Sequence, residues 1–242
     1  MSLSTSQCLT AIEQHSRWLA RVARRDLAAA VEHCPSWDVA DLVRHVSAVH
    51  RFWGAIAEHR LTRPPDFAEP PPVDSDHLVP SFLTGVAHLV DVLRSADQSA
   101  HVWTWYPPRQ DIGFITRHQV QEAAVHHWDA AHATGAAWSM EPAAAADAVE
   151  EFLTCSLADA DDAARIGATL PGAFTLEAQD TGNSWTVRQA GPGAALLWEP
   201  GSEAPTVRAD AADLLLWIYR RVELPVRDAR LVAAFRALSS TD

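Results

Sequence analysis

The first half of the chain repeats apolar residues at three- and four-residue intervals, the spacing of helices that bury one face. Residues 4 to 31 contain no Gly or Pro, so the pattern predicts a first helix over that range, ended by Cys34-Pro35. Ser36 or Asp38 can cap a second helix, whose sequence WDVADLVRHVSAVHRFWGAIAEHR continues towards Pro64-Pro65. Both segments therefore predict amphipathic helices.

Two further helices are predicted before the character of the chain changes. The segment RPPDFAEPPPVD is too rich in Pro to be helical and predicts a surface loop. The helical spacing resumes over residues 78 to 95, and after a loop with Trp103 and Trp105 a fourth helix is predicted from about Phe114 to Thr134. Helices joined by loops of this kind favour a four-helix bundle.

After Glu141-Pro142 the pattern indicates mixed structure. One more helix, rich in Ala and acidic residues, is predicted to about Ala164. The short runs AFTLEA, SWTVRQ and AALLWEP suit strands, and helical spacing returns in ADAADLLLWIYRRV and RLVAAFRAL. We therefore predict an α+β protein, with a helical-bundle domain at residues 1–140 and a small α+β domain at residues 141–242.

Charge and composition narrow the functional classes. A formal net charge of -12 without a basic cluster argues against a nucleic-acid partner, because such binding needs Lys and Arg against phosphates. No apolar stretch approaches the roughly 20 residues of a membrane-spanning helix, and the N-terminus does not resemble a secretory signal. We expect a cytoplasmic protein, either a monomer or a homodimer, that acts on small molecules and not on membranes.

The cysteines are not predicted to form a site. Cys8, Cys34 and Cys155 are far apart and odd in number, so neither a disulfide framework nor a Cys-based zinc site is indicated. We interpret them as buried or inert thiols.

The placement of the histidines carries the main chemical signal. On the second helix, His45 falls within the arc of apolar residues, so its imidazole is predicted to point at the core. His50 lies near the other margin of the same arc, and the spacing alone leaves both residues open. On the fourth helix, Glu122 and His126 are four residues apart and stand on one face. A histidine from the second helix would complete a three-ligand site for a divalent ion with one position open.

A structural interpretation competes with this one. A Glu four residues before a His arises easily in a His-rich helix, and a His on an apolar face is more often a hydrogen-bonded core residue than a ligand. Asp129, three residues after His126, could accept the second ring N–H of a ligating imidazole, or simply be a surface residue.

Two segments resemble a known family. CPSWDVADLVRHVSAVHRFW is similar to the second helix, and QEAAVHHWDAAHATG to the Glu-x-x-x-His-x-x-Asp segment, of the mycothiol-dependent maleylpyruvate isomerase family, which belongs to the DinB-like metal-binding helical bundles. LEAQDTGNSWTVR and ADAADLLLWIYRRV resemble the C-terminal domain often attached to these bundles. The resemblance spans nearly the whole chain and implies a DinB-like four-helix bundle followed by a small α+β domain.

The resemblance also implies a ligand set and a chemistry. It implies that His45, Glu122 and His126 bind a divalent ion, usually zinc, so it favours His45 over His50. In that family the metal activates the thiol of mycothiol, a low-molecular-weight thiol of actinobacteria, which adds to a conjugated substrate and permits cis-trans isomerisation. We therefore expect a zinc-dependent, mycothiol-using isomerase or thiol S-transferase.

Departures from the family pattern keep an alternative open. Many relatives have a His before the motif Glu, where this chain has Gln121. Arg117 or Arg109 could meet a substrate carboxylate, although a solvated surface charge is the ordinary role of such residues. A non-catalytic metal-binding or ligand-sensing module of the same fold is the alternative to an enzyme.

Overall fold

The computed structural model describes residues 2–66, 73–201 and 206–240, and the chain divides into two compact units, Met1–Ser139 and Met140–Asp242. The first unit is a bundle in which α2 packs against α3 and α4, and α1 packs against the same two helices. Its helices are α1 Thr5–Ala23, α2 Val39–His59, α3 Ser75–Ser95 and α4 Ile112–Ala133. Since α2 and α4 are neighbours, side chains on their facing surfaces can meet.

The start of α2 is fixed by a reciprocal cap. Asp38 is the N-cap, and its carboxylate accepts a hydrogen bond from the backbone N–H of Asp41 at 2.8 Å, while the Asp41 carboxylate accepts one from the backbone N–H of Asp38 at 3.3 Å. The helix ends at His59, and its C-cap Arg60 has a left-handed φ of 50°. The cap sets the register that carries His45 towards α4.

The first helix is shorter than the spacing predicts. It ends at Ala23, and the next residues bond to the start of α2: the carbonyl of Leu27 accepts from the N–H of Ala40, and that of Ala29 accepts from the N–H of Val39. These bonds satisfy the carbonyls of Leu27 and Ala29, which a continuing helix would otherwise have to satisfy. The result is an ordered connection in place of the last helical turns.

Part of the predicted proline-rich loop lies outside the described residues, at positions 67–72. Among the helices of the described ranges, none combines the length and the apolar character needed to span a bilayer.

The second unit combines helices with a four-stranded sheet of order β3-β2-β1-β4. Its elements are α5 Pro142–Cys155, α6 Ala160–Ile166, β1 Phe174–Ala178, β2 Ser184–Gln189, β3 Leu196–Pro200, β4 Val207–Ala209, α7 Ala211–Ile218 and α8 Ala229–Ala237. The β1–β2 and β2–β3 pairs are antiparallel, and β4 runs parallel to β1. The single helix predicted from Pro142 is two helices, and β4 was not predicted.

An aromatic stack forms the core of this sheet. Phe174 on β1 lies against Phe235 on α8, with ring centroids 4.2 Å apart, and against Trp217 on α7 at 6.0 Å. All three side chains are buried. The α+β class predicted from the sequence is confirmed.

Candidate metal centre

The side chains of His45, Glu122 and His126 meet where α2 faces α4. The Oε1 atom of Glu122 lies 3.4 Å from Nε2 of His45 and 3.4 Å from Nε2 of His126. The three ligand atoms all lie within 4.8 Å of one another. Two of these residues come from one turn of α4, at positions i and i+4, and the third comes from the neighbouring helix.

The spacing of these atoms fits a shared cation. Ligand atoms bonded to a tetrahedral zinc ion at about 2.1 Å lie about 3.4 Å from one another. Oε1 of Glu122 is buried, and it has no hydrogen bond of acceptable geometry within the described residues. A buried carboxylate oxygen without a donor is costly, and a metal ion between it and the two imidazoles would satisfy it. The residues present therefore fit a divalent ion.

The electrostatics of the cluster also favour a positive charge beside Glu122. Burial alone would raise the pKa of Glu122, but His126 and His45 beside it hold that pKa well below its usual range. Burial would likewise lower the pKa of His126, yet Glu122 and Asp129 raise it to about 9. A proton on His126 or a metal ion can supply this charge, so metal binding would release protons.

Asp129 contacts the other side of the His126 ring. Its Oδ2 atom lies 3.1 Å from Nδ1 of His126, and the Asp129 residue is 2% exposed. A carboxylate in this position accepts the Nδ1–H and leaves the Nε2 lone pair directed at the cluster. The structure thus brings Asp129 to the position considered from the sequence.

His50 does not join the cluster. It is 2% exposed, its ring stacks on Phe82 with centroids 5.8 Å apart, and neither ring nitrogen has a hydrogen-bond partner in the part of the chain that is described. Burial lowers the pKa of His50 to about 4. Of the two histidines that helical spacing left open, the structure brings His45 to Glu122, and the ring of Trp37 packs on His45 at a centroid distance of 5.0 Å.

The two arginines considered for substrate binding start from backbone positions away from the cluster. Arg109 donates two hydrogen bonds to Asp111, at 2.8 Å and 3.0 Å, immediately before α4. Asp111 precedes Glu122 by three turns, about 16 Å along the helix axis. Arg117 is half-buried and lies about 140° around the helix from Glu122. Arg109 is therefore separated from the ligands along the helix axis, and the Cα–Cβ bond of Arg117 leaves α4 on a different side from that of Glu122.

Sequence reasoning missed the position of Cys34. Its Sγ atom lies 4.0 Å from Oδ2 of Asp129, and Cys34, Asp129 and His126 form a second group whose ligand atoms all lie within 4.8 Å of one another. The thiol is half-buried. The available signal was its place in the turn before the helix that carries His45, but its isolation from the other cysteines favoured an inert role.

A shallow cleft runs along α2 beyond the cluster. It begins at Ala48 and Val49, one helical turn after His45, and has a volume of about 310 Å³. Its other lining residues are Arg51, Phe52, Trp53 and Pro65. The lining is mainly apolar, with one guanidinium.

The first unit is thus a helical bundle with a cluster of possible metal ligands, His45, Glu122 and His126, where two helices face each other. Residues 8–131 match the family model of the mycothiol maleylpyruvate isomerase N-terminal domain. Because that match covers more than half of the 242 residues, the chain belongs to this family, and the predicted resemblance is confirmed.

Solved structures extend the likeness beyond the bundle. A crystal structure of the mycothiol-dependent maleylpyruvate isomerase has a TM-score of 0.56 and 16% sequence identity, and the similarity covers 93% of this chain and 96% of that one. A mutant of that enzyme with a histidine replaced by alanine gives a TM-score of 0.54 at 16% identity, over 89% and 88% of the two chains. These likenesses show a shared fold, as predicted. No curated protein sequence matches the chain significantly.

Proposed function

We propose that this protein is a metal-dependent, mycothiol-using enzyme of the maleylpyruvate isomerase type. It would isomerise a small electrophilic substrate, or transfer the thiol to it. The observation that carries the proposal is the buried carboxylate oxygen of Glu122, equidistant at 3.4 Å from two imidazole nitrogens, in a chain that belongs to this family. Zinc is the proposed ion because two imidazoles and a carboxylate are typical ligands of catalytic zinc.

Each residue has a distinct role in the proposal. His45, Glu122 and His126 hold the ion through Nε2, Oε1 and Nε2. Asp129 accepts the Nδ1–H of His126, which fixes the tautomer and keeps the ring oriented. Trp37 packs on His45, the ligand with the largest exposed side-chain fraction, 36% against 16% for Glu122 and 12% for His126.

Three protein ligands leave room for a fourth. A divalent ion bound here would favour the deprotonated form of a coordinated thiol at neutral pH. The protein would then hold the thiolate as the nucleophile, and the apolar cleft that begins one turn beyond His45 offers space for a small conjugated molecule.

Metal content tests the first half of the proposal. The wild-type protein, loaded with zinc and then desalted, should retain one equivalent, and a Glu122→Ala variant should retain far less. Glu58→Ala is the matched control, because Glu58 also lies against a histidine, 3.0 Å from Nε2 of His88, but on the exposed surface. Cys34, which lies in the second group of candidate ligands, is alkylated in each protein so that its thiol cannot hold zinc. Equal zinc in alkylated wild type and alkylated Glu122→Ala would refute the metal centre.

Turnover tests the second half. The zinc-loaded protein is mixed with mycothiol and maleylpyruvate, and then with other conjugated electrophiles, while isomerisation and thiol consumption are followed. The proposal expects turnover that requires both zinc and mycothiol and that Glu122→Ala abolishes. Retention of zinc without turnover of any electrophile would support the alternative, a non-catalytic metal-binding or ligand-sensing module.

A further inference from the structure

The imidazole of His126 lies between two groups of ligand atoms. Its Nε2 atom faces Oε1 of Glu122 at 3.4 Å, and its Nδ1 atom faces Oδ2 of Asp129 at 3.1 Å. Beyond Asp129 is the thiol of Cys34, with Sγ 4.0 Å from the same Oδ2 atom. The proposed function uses only the Nε2 side of this ring as a ligand.

The backbone holds Cys34 in place. The N–H of Trp37 donates to the carbonyl of Cys34 at 3.0 Å, which closes a four-residue turn. Pro35 follows Cys34, and Ser36 has a φ of 71°, the combination typical of a type II turn. A backbone bridge between Ala30 and Asp38 brackets this turn. The thiol is therefore presented to α4 by an ordered segment.

We propose that Cys34, Asp129 and Nδ1 of His126 form a second cation site that takes a thiophilic divalent ion, such as zinc or cadmium. A thiolate, an imidazole and a carboxylate are ligands that zinc uses in proteins, and thiolate selects soft ions over magnesium or calcium. Ligand atoms around such an ion lie about 3.5 Å apart, so the Asp129–Cys34 separation of 4.0 Å needs only a small side-chain adjustment. The site goes beyond the proposed function and does not require the first site to be filled.

Sharing one imidazole links the two sites. An ion at the second site displaces the thiol proton of Cys34 and the Nδ1 proton of His126, and both protons pass to solvent. The ring can serve both ions only as an imidazolate, which has lost both N–H protons. We therefore expect occupancy of the second site to weaken zinc binding at the first.

Cadmium titration of the whole protein tests the site. Thiolate bound to cadmium gives a charge-transfer absorption band in the ultraviolet, and wild type should develop it up to one equivalent. Cys34→Ser should lose the band. Cys155→Ser is the matched control, because Sγ of Cys155 also lies near a carboxylate, 3.4 Å from Oε1 of Glu151, but belongs to neither group of candidate metal ligands. Circular dichroism checks that each variant is folded.

The same titration separates this inference from the proposed function. Glu122→Ala removes the first site, so persistence of the band in that variant assigns it to the second site whether or not the first site binds zinc. A band that survives Cys34→Ser, or no band in wild type with excess cadmium, would overturn the inference.

Thiol alkylation gives a test that uses the wild-type protein. Cadmium should slow alkylation of Cys34 at least tenfold, read by peptide mass spectrometry, and leave the rate at Cys155 unchanged. Equal rates at Cys34 with and without cadmium would contradict the site, and this measurement stands even where Cys34→Ser does not fold.

Discussion

Replacement of His50 by leucine should stabilise the bundle and leave metal binding intact. His50 is 2% exposed, stacks on Phe82, and has two ring nitrogens without hydrogen bonds among the described residues. Leucine has a similar volume and presents no polar atom. His45→Leu is the matched variant, because it removes a half-exposed histidine of the same helix that faces Glu122.

The expected gain in the free energy of unfolding has two sources: the burial of unsatisfied ring nitrogens, and the protonation of His50 in the unfolded chain at low pH. An unsatisfied buried polar group costs about 1–3 kcal/mol, so His50→Leu should raise the free energy of unfolding by roughly that amount at pH 7. Burial lowers the pKa of His50 in the folded protein to about 4, from an ordinary value of 6.5. Below pH 6.5 the unfolded chain binds a proton that the folded one does not, so the wild type loses stability as pH falls towards 4. At pH 5 that loss is about 2 kcal/mol, which the variant escapes.

Urea unfolding at pH 7 and pH 5, in the presence of a chelator, measures both effects. His50→Leu should have a higher free energy of unfolding than wild type at pH 7, and this difference should be larger at pH 5. His45→Leu should not raise the free energy of unfolding of the chelated protein, because it removes an imidazole that faces the Glu122 carboxylate, and it should lower zinc retention. The reasoning fails if His50→Leu destabilises the bundle at pH 7, or if it loses zinc while His45→Leu keeps it.

Three further predictions concern a helix cap, a turn and metal binding. Asp38→Ala should lower the free energy of unfolding by about 1 kcal/mol, whereas Asp74→Ala, at an N-cap without a side-chain bond, should change it by less than about 0.5 kcal/mol. Thermal unfolding followed by circular dichroism compares the two variants, and equal losses would contradict the role of the cap. Ser36→Gly should raise the free energy of unfolding by about 1 kcal/mol, because Ser36 has a positive φ that Gly adopts without steric cost. A lower free energy of unfolding in urea would contradict this prediction. In a Cys34→Ser background, zinc at a hundredfold excess over its Kd should raise the free energy of unfolding by about 2.7 kcal/mol, reversibly by chelation. Glu122→Ala in the same background should show no such response.

The long helices and the strands of the second unit could be predicted because their patterns are local. Asp38 as an N-cap, and the strand at Ser184–Gln189, follow from residues close in the chain. The end of α1 could not be predicted, since residues 24–31 continue the helical pattern and are diverted only by hydrogen bonds to α2. The strand Val207–Ala209 has three residues, too few for a periodic signal, and depends on its partner β1.

The candidate metal centre could likewise be predicted only in part from the sequence. Glu122 and His126 share one helical turn, so their proximity follows from the sequence, whereas the choice between His45 and His50 depends on how α2 is rotated against α4. Helical spacing could not supply that rotation, and the family resemblance favoured His45. The approach of Cys34 to Asp129 joins residues 95 positions apart, and no local pattern reports it.

The uneven exposure of the three proposed ligands has a kinetic consequence. Glu122 and His126 sit on one turn of a rigid helix with little solvent access, while His45 approaches from a separate helix with 36% of its side chain exposed. We expect exchange of a bound ion to begin with dissociation of the His45 imidazole, which water can replace. Packing against Trp37, although it touches no ion, would then govern the lifetime of the complex.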